Sequence, residues 1–504
     1  MRLFGLNITR DAAPVPQRRQ GARVVTVNRE YRAAEVSRLY ADWSLCHGYS
    51  PSVVAREFPT MWGRAREALR NNPYMLQIAR MHSTNIVGDT GIRLVPTAKD
   101  RQGNLSEQSN SHTFSAWSAW STVPAFCDYR QRLNFRQMLE LIAVGLVVEG
   151  EAWLRHVVDA DNPYGYSVRL YGAGAVDVAL NDVNPRIGRY IYNGIQQDSG
   201  GRPVAYWFRV DDPNLSMIPQ SLNVVAGSHE VVPASEVEQV FCPLEESQLR
   251  GMPAVHTILP TLHMLSQYDE AELVAAREDA AATGVYTVKE GSDYNPVDSY
   301  NAVNDGTHDC APGEREVLPE GVDFKKSQPT RPNAVYGLFK DSVLRTAASG
   351  AGVNYEGLAN DRTAANYSSM REGKLSERDY WKAMQQILIE RGCRPVFRRW
   401  VGSAIGQQQL DFRATGPVQL YSHYWRARRW PWVDPASDAR YYETCRRFGW
   451  KTDAQISDEI GSDWSENVNE IARLANKAAG TYLEANYAES QAQDPEGNGN
   501  HANA

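Results

Sequence analysis

The stretch "PAVHTILPTLHMLSQYDEAELVAAREDAAA", residues 253–282, decides the architecture. It reads as one long helix, in which Pro260 either marks the true start or kinks the chain. A second helix is expected at residues 332–350, "PNAVYGLFKDSVLRTAASG". Between the two, residues 283–331 offer short strands and loops, with "YTVKEG" and "REVLPEG" as strand candidates. A Gly/Asn-rich loop follows the second helix, "GAGVNYEGLANDRTAANYSS", residues 350–369. The chain thus sends two helices around a strand-and-loop insert and ends the pair in a polar loop.

Upstream, residues 29–145 are mostly helical in pattern. Within them, "RNNPYMLQIARMHSTNIVG", residues 70–88, carries clear start and stop signals. Asn72 suits the N-cap and Pro73 the first helical position. Gly88 suits a left-handed stop, and Leu76, Ala79, Ser83 and Ile86 share the spacing of one face. "FRQMLELIAVGLVVEGEAWLR", residues 135–155, shifts from helical to strand-like spacing around Gly150. Residues 150–245 are rich in strand signals, with "EAWLRHVV", "RYIYNGIQQD", "RPVAYWFRV" and "EVEQVFCP" each read as a strand. Downstream, a long helix is expected from about 367 to 400 and a helical tail from about 435. Residues 1–28 read as a flexible Arg/Pro/Gln/Ala-rich arm and residues 486–504 as disordered. The fold class is therefore α+β.

Composition narrows function. The 504 residues suggest three or so structural units. Hydrophobic residues make up 42% and charged residues 22%, ample for a packed core. A net charge of −7 is not the footprint of a tight nucleic-acid binder. The 13 Trp and 25 Tyr point to large buried contacts or interfaces. Cys46, Cys127, Cys242, Cys310, Cys393 and Cys445 are far apart in sequence, so reduced, mostly buried thiols are expected. The longest apolar run, "LIAVGLVV" at 141–148, is far short of the ~20 residues that span a bilayer. No secretory signal is visible in "MRLFGLNITRDAAP", so no membrane role is expected.

Catalytic motifs are missing. "REGKL", residues 371–375, has a Gly-Lys pair without the upstream Gly or the following hydroxyl of a phosphate loop. "HEVVP", residues 229–233, ends in Pro where a zinc motif needs a second His. "GAGAV", residues 172–176, is half of a dinucleotide fingerprint. No nucleophile elbow occurs, and the ten His are scattered. No enzyme activity, cofactor or metal is expected.

Seven blocks, in order, carry a resemblance. They are "REALRNNPYMLQIARMHSTNIVGDTGIRL", "FRQMLELIAVGLVVEGEAWL", "GIQQDSGGRPVAYWF", "FCPLEESQLRGMPAVHTILPTLHMLSQYDEAELVAAR", "ANYSSMREG", "CRPVFRRW" and "RRWPWVDP". Together they resemble the lambda-type portal proteins of tailed bacteriophages, from about residue 30 to 475. The resemblance implies a portal fold and a ring of about twelve copies at one capsid vertex. It implies a wing at 29–252, a first stem helix at 253–283, a clip at 284–331 and a second stem helix at 332–350. A tunnel loop at 351–366, a wing helix and return at 367–434 and a crown at 435–485 complete it. Such a ring is the channel for DNA packaging by the terminase and for DNA ejection, and it carries head–tail connector proteins. Implied partners are double-stranded DNA, the terminase large subunit, a head–tail adaptor and the major capsid protein. The implied location is the virion, after assembly in the bacterial cytoplasm. Another virion protein, of the capsid shell or tail, is the alternative; a DNA-processing enzyme is a third reading, disfavoured by the missing phosphate loop.

On this reading the tunnel-loop residues Asn354, Asn360, Asp361, Arg362, Thr363 and Asn366 offer short polar groups to passing phosphates, and Gly350, Gly352 and Gly357 allow movement. Arg362 either touches phosphate or pairs with Asp361 or a neighbouring subunit. Lys325, Lys326, Arg331, Lys340 and Arg345 form a cationic belt facing DNA, or pair between subunits. The acidic net charge suits a sliding surface, because every phosphate contact adds affinity that a conduit must avoid. "RRW" at 398–400 and "RARRW" at 426–430 are expected to cement packing, and Trp117, Trp120, Tyr206 and Trp207 to lie in a core or interface. His82, Ser83 and Asn85 are expected to bond neighbouring backbone or an adjacent subunit.

Overall fold

The computed structural model describes residues 50–210, 229–280, 284–288, 322–326, 335–361, 363, 367–413, 415–430, 435–462 and 464–478. The expected arm (1–28), the expected tail (486–504), most of the 284–331 insert, and Arg331, Arg362 and Asn366 lie outside the described residues.

Helices α1 (Pro51–Asn71) and α2 (Pro73–Ile86) open the described chain. Asn72 caps α2 as its sequence suggests, its side chain accepting from the Tyr74 and Met75 amides at 3.0 Å each. Gly88 stops the segment at φ 77°. The buried face is Met75, Ile78, Ala79, His82 and Ile86, rotated from the expected one, which leaves Leu76 and Ser83 half-buried. The Asn72 side chain also donates to Ser266 at 2.8 Å. Strand β1 (Arg93–Pro96) and helices α3 (Glu107–Thr122), α4 (Pro124–Cys127) and α5 (Phe135–Val148) follow. Asn134 and Gln137 form a capping box at the start of α5.

The switch from helix to strand falls where the spacing places it. Gly150 adopts φ 85° and turns α5 into β2 (Glu151–Val158). Strands β3 (Tyr166–Gly172), β4 (Asp182–Asn184), β5 (Arg189–Tyr192), β6 (Ile195–Gln197), β7 (Pro203–Arg209), β8 (His229–Pro233) and β9 (Val237–Phe241) follow. Strands β3, β2 and β9 make an antiparallel sheet in that order, with Leu154 opposite Leu170 and Glu238. Strands β4 to β8 make an antiparallel meander. "RYIYNGIQQD" is thus two strands, not one. Asn193 (φ 50°) and Gly194 (φ 79°) turn the chain in the left-handed conformation that tight hairpins use.

A buried ion pair ties the two sheets together. Arg250 and Glu151 are both fully buried and meet at 2.5 Å. Arg250 also donates to the carbonyls of Ala173 (2.7 Å) and Asn193 (2.7 Å). Glu151 accepts from the Gly251 amide (2.9 Å) and the Gln239 side chain (2.8 Å). Every polar atom of the pair that could be left bare has a partner, the condition under which such a pair is tolerated. The backbones touch here as well: a Cβ on Gly251 would lie 2.1 Å from the Gly150 carbonyl oxygen.

Helix α6 (Leu259–Ala280) begins six residues later than the expected 253, and Pro260 sits in its first turn, so proline marks the start and makes no kink. Strands β10 (Gly284–Val288) and β11 (Val322–Lys326) pair antiparallel. "YTVKEG" overlaps β10, whereas "REVLPEG" lies outside the described residues. Helix α7 (Tyr336–Ala351) replaces the expected 332–350. Next come α8 (Tyr355–Ala359) and α9 (Tyr367–Leu388). A single π turn, Ile389–Cys393, leads into α10 (Arg394–Gly406). There the Arg394 amide reaches back five residues to Ile389, directly before Pro395, which has no N–H to donate. Strand β12 (His423–Arg426) pairs with β1, and α11 (Pro435–Arg447), α12 (Asp453–Ile460) and α13 (Trp464–Ala478) complete the helical tail.

The main core lies among α2, α3, α5, α9 and α10. Trp117 is its hub, with the rings of Trp120, Phe135, Phe397, Trp400 and Trp425 at 4.9–5.7 Å. Both Trp117 and Trp120 are core residues. Among the described residues no helix is long and apolar enough to cross a membrane.

Candidate functional site

Helices α6 and α7 pack side by side, and three polar residues pin them. Asp269 on α6 accepts from the Tyr336 hydroxyl at 2.6 Å and from the Lys340 ammonium at 2.7 Å. Tyr336 and Lys340 lie one helical turn apart on α7, which lets both reach one carboxylate. Tyr268 adds ring contacts to Tyr336 (5.7 Å) and Phe339 (5.5 Å). Partial burial works against the Lys340 charge, but the hydrogen bonds it donates to Asp269, Tyr336 and Tyr74 outweigh it and hold the ammonium well above the usual lysine range. The pair is therefore made inside one chain, between the two helices, which neither sequence reading of Lys340 contains.

The segment after α7 is more ordered than a Gly/Asn-rich loop. Gly352 caps α7 at φ 68°, as a C-terminal glycine does. Asn354 then caps the short α8, and Asn360 ends it in the left-handed conformation at φ 52°. Two of the glycines sit where a side chain would meet a neighbour. A Cβ on Gly350 would lie 2.4 Å from Ile258 Cγ2, and one on Gly357 would lie 2.8 Å from Met81 Cε. Asp361 accepts from the Thr363 hydroxyl (2.7 Å) and amide (3.0 Å) and from the Tyr355 hydroxyl (3.1 Å). The Thr363 hydroxyl holds the Asp361 carboxyl below its ordinary value. Burial, with Asp341 and Asp361 as acceptors, pushes the Tyr355 hydroxyl up to about 12. The Arg345 guanidinium sits 4.6 Å from the Tyr355 ring. Burial raises the carboxyl of Glu377, which accepts from the Asn354 amide at 3.2 Å.

The described candidate residues thus fall into one neighbourhood and a separate pair. Asn354, Asn360, Asp361, Thr363, Lys340 and Arg345 cluster on α7, α8 and the turns around them. Lys325 is exposed on β11, and Lys326 ends that strand.

A family model described as "Phage portal protein, lambda family" matches residues 37–385. The chain belongs to that family. Its relatives include the "Probable portal protein" of Halomonas phage phiHAP-1, 26% identical over 434 residues, 85% of this chain and 82% of that protein. "Portal protein B" of Escherichia phage lambda is 22% identical over 391 residues, 71% of each chain. Among solved structures, the neck of an empty gene transfer agent particle gives a TM-score of 0.44 at 13% identity, over 79% of this chain and 93% of that one. An HK97 family phage portal protein from Corynebacterium diphtheriae gives 0.33 at 13% identity, over 74% and 96%.

Elsewhere in this portal-family chain, the cationic aromatic motifs hold the molecule together. Trp400 of "RRW" is fully buried, and Arg399 donates to the Ser235 carbonyl. In "RARRW", Arg426 pairs with Asp458 on α12 at 3.0 Å, Arg428 donates to the Thr84 carbonyl, and Trp430 donates to Asn85 at 2.9 Å. The polar end of α2 is likewise spent on structure. The His82 ring contacts the Ile78 carbonyl at 2.9 Å, and the Asn85 side chain donates to Met81 at 2.9 Å. Gln385 on α9 bridges the Asn85 and Arg428 carbonyls at 3.0 and 3.1 Å. "GAGAV" is a tight turn whose Ala173 carbonyl receives Arg250. Among the described residues no group of three or more His, Cys, Asp or Glu is arranged for a metal. Sequence reading missed Asp269, Tyr336 and Tyr355. The Tyr336/Lys340 spacing is a local signal, but Asp269 lies 71 residues from Lys340 and carries none.

Proposed function

We propose that this chain is the subunit of a ring of about twelve copies that forms the DNA channel at one vertex of a phage capsid. The observation that carries this reading is the α6–α7 hairpin. Its helices are pinned to each other through Asp269, yet apolar side chains remain open on both. Leu273 on α6 is 73% exposed and Leu338 on α7 is 74% exposed, with Met264 and Phe339 also exposed. A patch on each of two neighbouring helices is what a head-to-tail ring contact needs, one copy covering the next.

On this reading α6 and α7 are the two stem helices, and the 284–331 insert is the clip. The segment 351–366 is the tunnel loop. The flanking regions 29–252 and 367–434 form the wing, and 435–485 the crown. Asn354, Asn360, Asp361, Arg362, Thr363 and Asn366 line the channel, and Arg345 with Lys325, Lys326 and Arg331 are its nearby cations. Lys340 contributes by fixing the stem hairpin. The net charge of −7 lets DNA slide without being held. The terminase large subunit supplies the work of packaging, and a head–tail adaptor and the major capsid protein bind the ring. The ring itself makes and breaks no bonds. It assembles in the bacterial cytoplasm and ends in the virion.

Negative-stain class averages of the purified full chain test this. Rings of about twelve with a central hole are expected. Single subunits under every condition, or nucleotide hydrolysis by the protein alone, overturn the proposal.

A further inference from the structure

Two arginines stand directly opposite each other in the three-stranded sheet, Arg155 on β2 and Arg169 on β3. Like charges in that position repel, so each calls for an anion. Glu230 on β8 serves the first, meeting Arg155 at 2.8 Å. The Arg155 hydrogen bond, with the charges of Arg155 and Arg169, holds the Glu230 carboxyl below its ordinary value. Arg169 is served less well. Its guanidinium lies 4.5 Å from the Tyr171 ring. Its Nε is buried and has no hydrogen-bond partner among the described residues, a costly state for a charged donor.

Both arginines line a cavity of about 670 Å³, which α10 closes with a third, Arg399. Arg399 spends one N–H on the Ser235 carbonyl. Glu230 and Glu236 are the carboxylates of the lining, so three arginines against two glutamates leave one positive charge. His156, also in the wall, is spent within the chain, on the Tyr166 hydroxyl at 2.6 Å and on Glu238 at 3.3 Å. Guanidinium groups match the paired oxygens of a carboxylate or a phosphate. Glu230 and Glu236 are exposed and repel a long polyanion such as DNA, whereas a surplus of one charge suits a compact anion.

We propose that this cavity binds a small oxyanion, a phosphate or carboxylate group, with Arg169 as its main ligand and Arg399 as its second. The site lies within one subunit and does not depend on the ring reading. Calorimetric titration of the full-length chain with inorganic phosphate, and separately with acetate, in chloride buffer of matched ionic strength tests it. Saturable binding of at least one anion is expected, and the one that binds tells phosphate from carboxylate. Arg169→Gln should weaken that binding about tenfold or more. Arg399→Gln, at an exposed residue, should weaken it in the same direction and decides the matter if Arg169→Gln does not fold. No saturable heat with either anion, or wild-type affinity in the folded glutamine variants, overturns the site.

Discussion

Arg250 and Glu151 show how far a residue's role can sit from its sequence neighbours. Their partners lie 57 to 100 residues away, so no local pattern marks them. Arg250→Met removes the only cation that faces a fully buried carboxylate among the described side chains bonded to Glu151. Losing one member of such a pair costs about 3–5 kcal/mol. Urea unfolding of the full chain should show a loss of that size, with part recovered when Glu151→Gln is added; a loss below about 1 kcal/mol would class the pair with surface bridges. His82 gives a second expectation. Burial lowers its ring from 6.5 to about 4, against the opposing bond to Ile78. Between these values the unfolded chain takes up a proton that the folded chain refuses. Stability should therefore fall as pH drops from 6.5 toward 4 and level off below, by on the order of 3 kcal/mol in all. His82→Gln should flatten that part of the pH–stability curve; an unchanged slope refutes the assignment. Asn72 and Gly88, by contrast, were legible at once, because capping chemistry is local.

At the scale of elements, what could be read depended on length. Long helices and the α5-to-β2 switch at Gly150 announce themselves through periodicity, whereas the five residues of α8 are too few to show any. That is why residues 351–366 look like a loop in the sequence and hold a capped helix in the structure. The Asn193–Gly194 hairpin did have a signal, the Asn-Gly pair itself. The π turn at Ile389–Cys393 has none beyond Pro395. Gly350 supplies the test at this scale. Alanine there gains about 1 kcal/mol of helix propensity but drives a methyl into buried Ile258. Gly350→Ala should destabilise by a net 1–2 kcal/mol or so, and Ile258→Ala in the same chain should cost less than it does alone. Additive effects in that double-mutant cycle would show that the two residues do not press on each other.

For the whole molecule, the family was legible in seven ordered blocks and the hairpin in its helix–insert–helix pattern. Which cations pair within the chain was not, since that depends on how α6 and α7 meet in space. The exposed hairpin face yields an assembly prediction. Phe339→Asp should leave far-ultraviolet circular dichroism unchanged while light scattering shows a shift from rings to single subunits; intact rings at wild-type concentrations contradict it. One further consequence concerns α2. Its first residue is preceded by Asn72, bonded to Ser266 on α6, and its far end is bonded through Asn85 to Trp430 and Gln385. Fourteen residues of helix span about 21 Å and scarcely compress. Hydrogen bonds therefore hold α2 at both ends, to α6 at one and to α9 and the segment after β12 at the other.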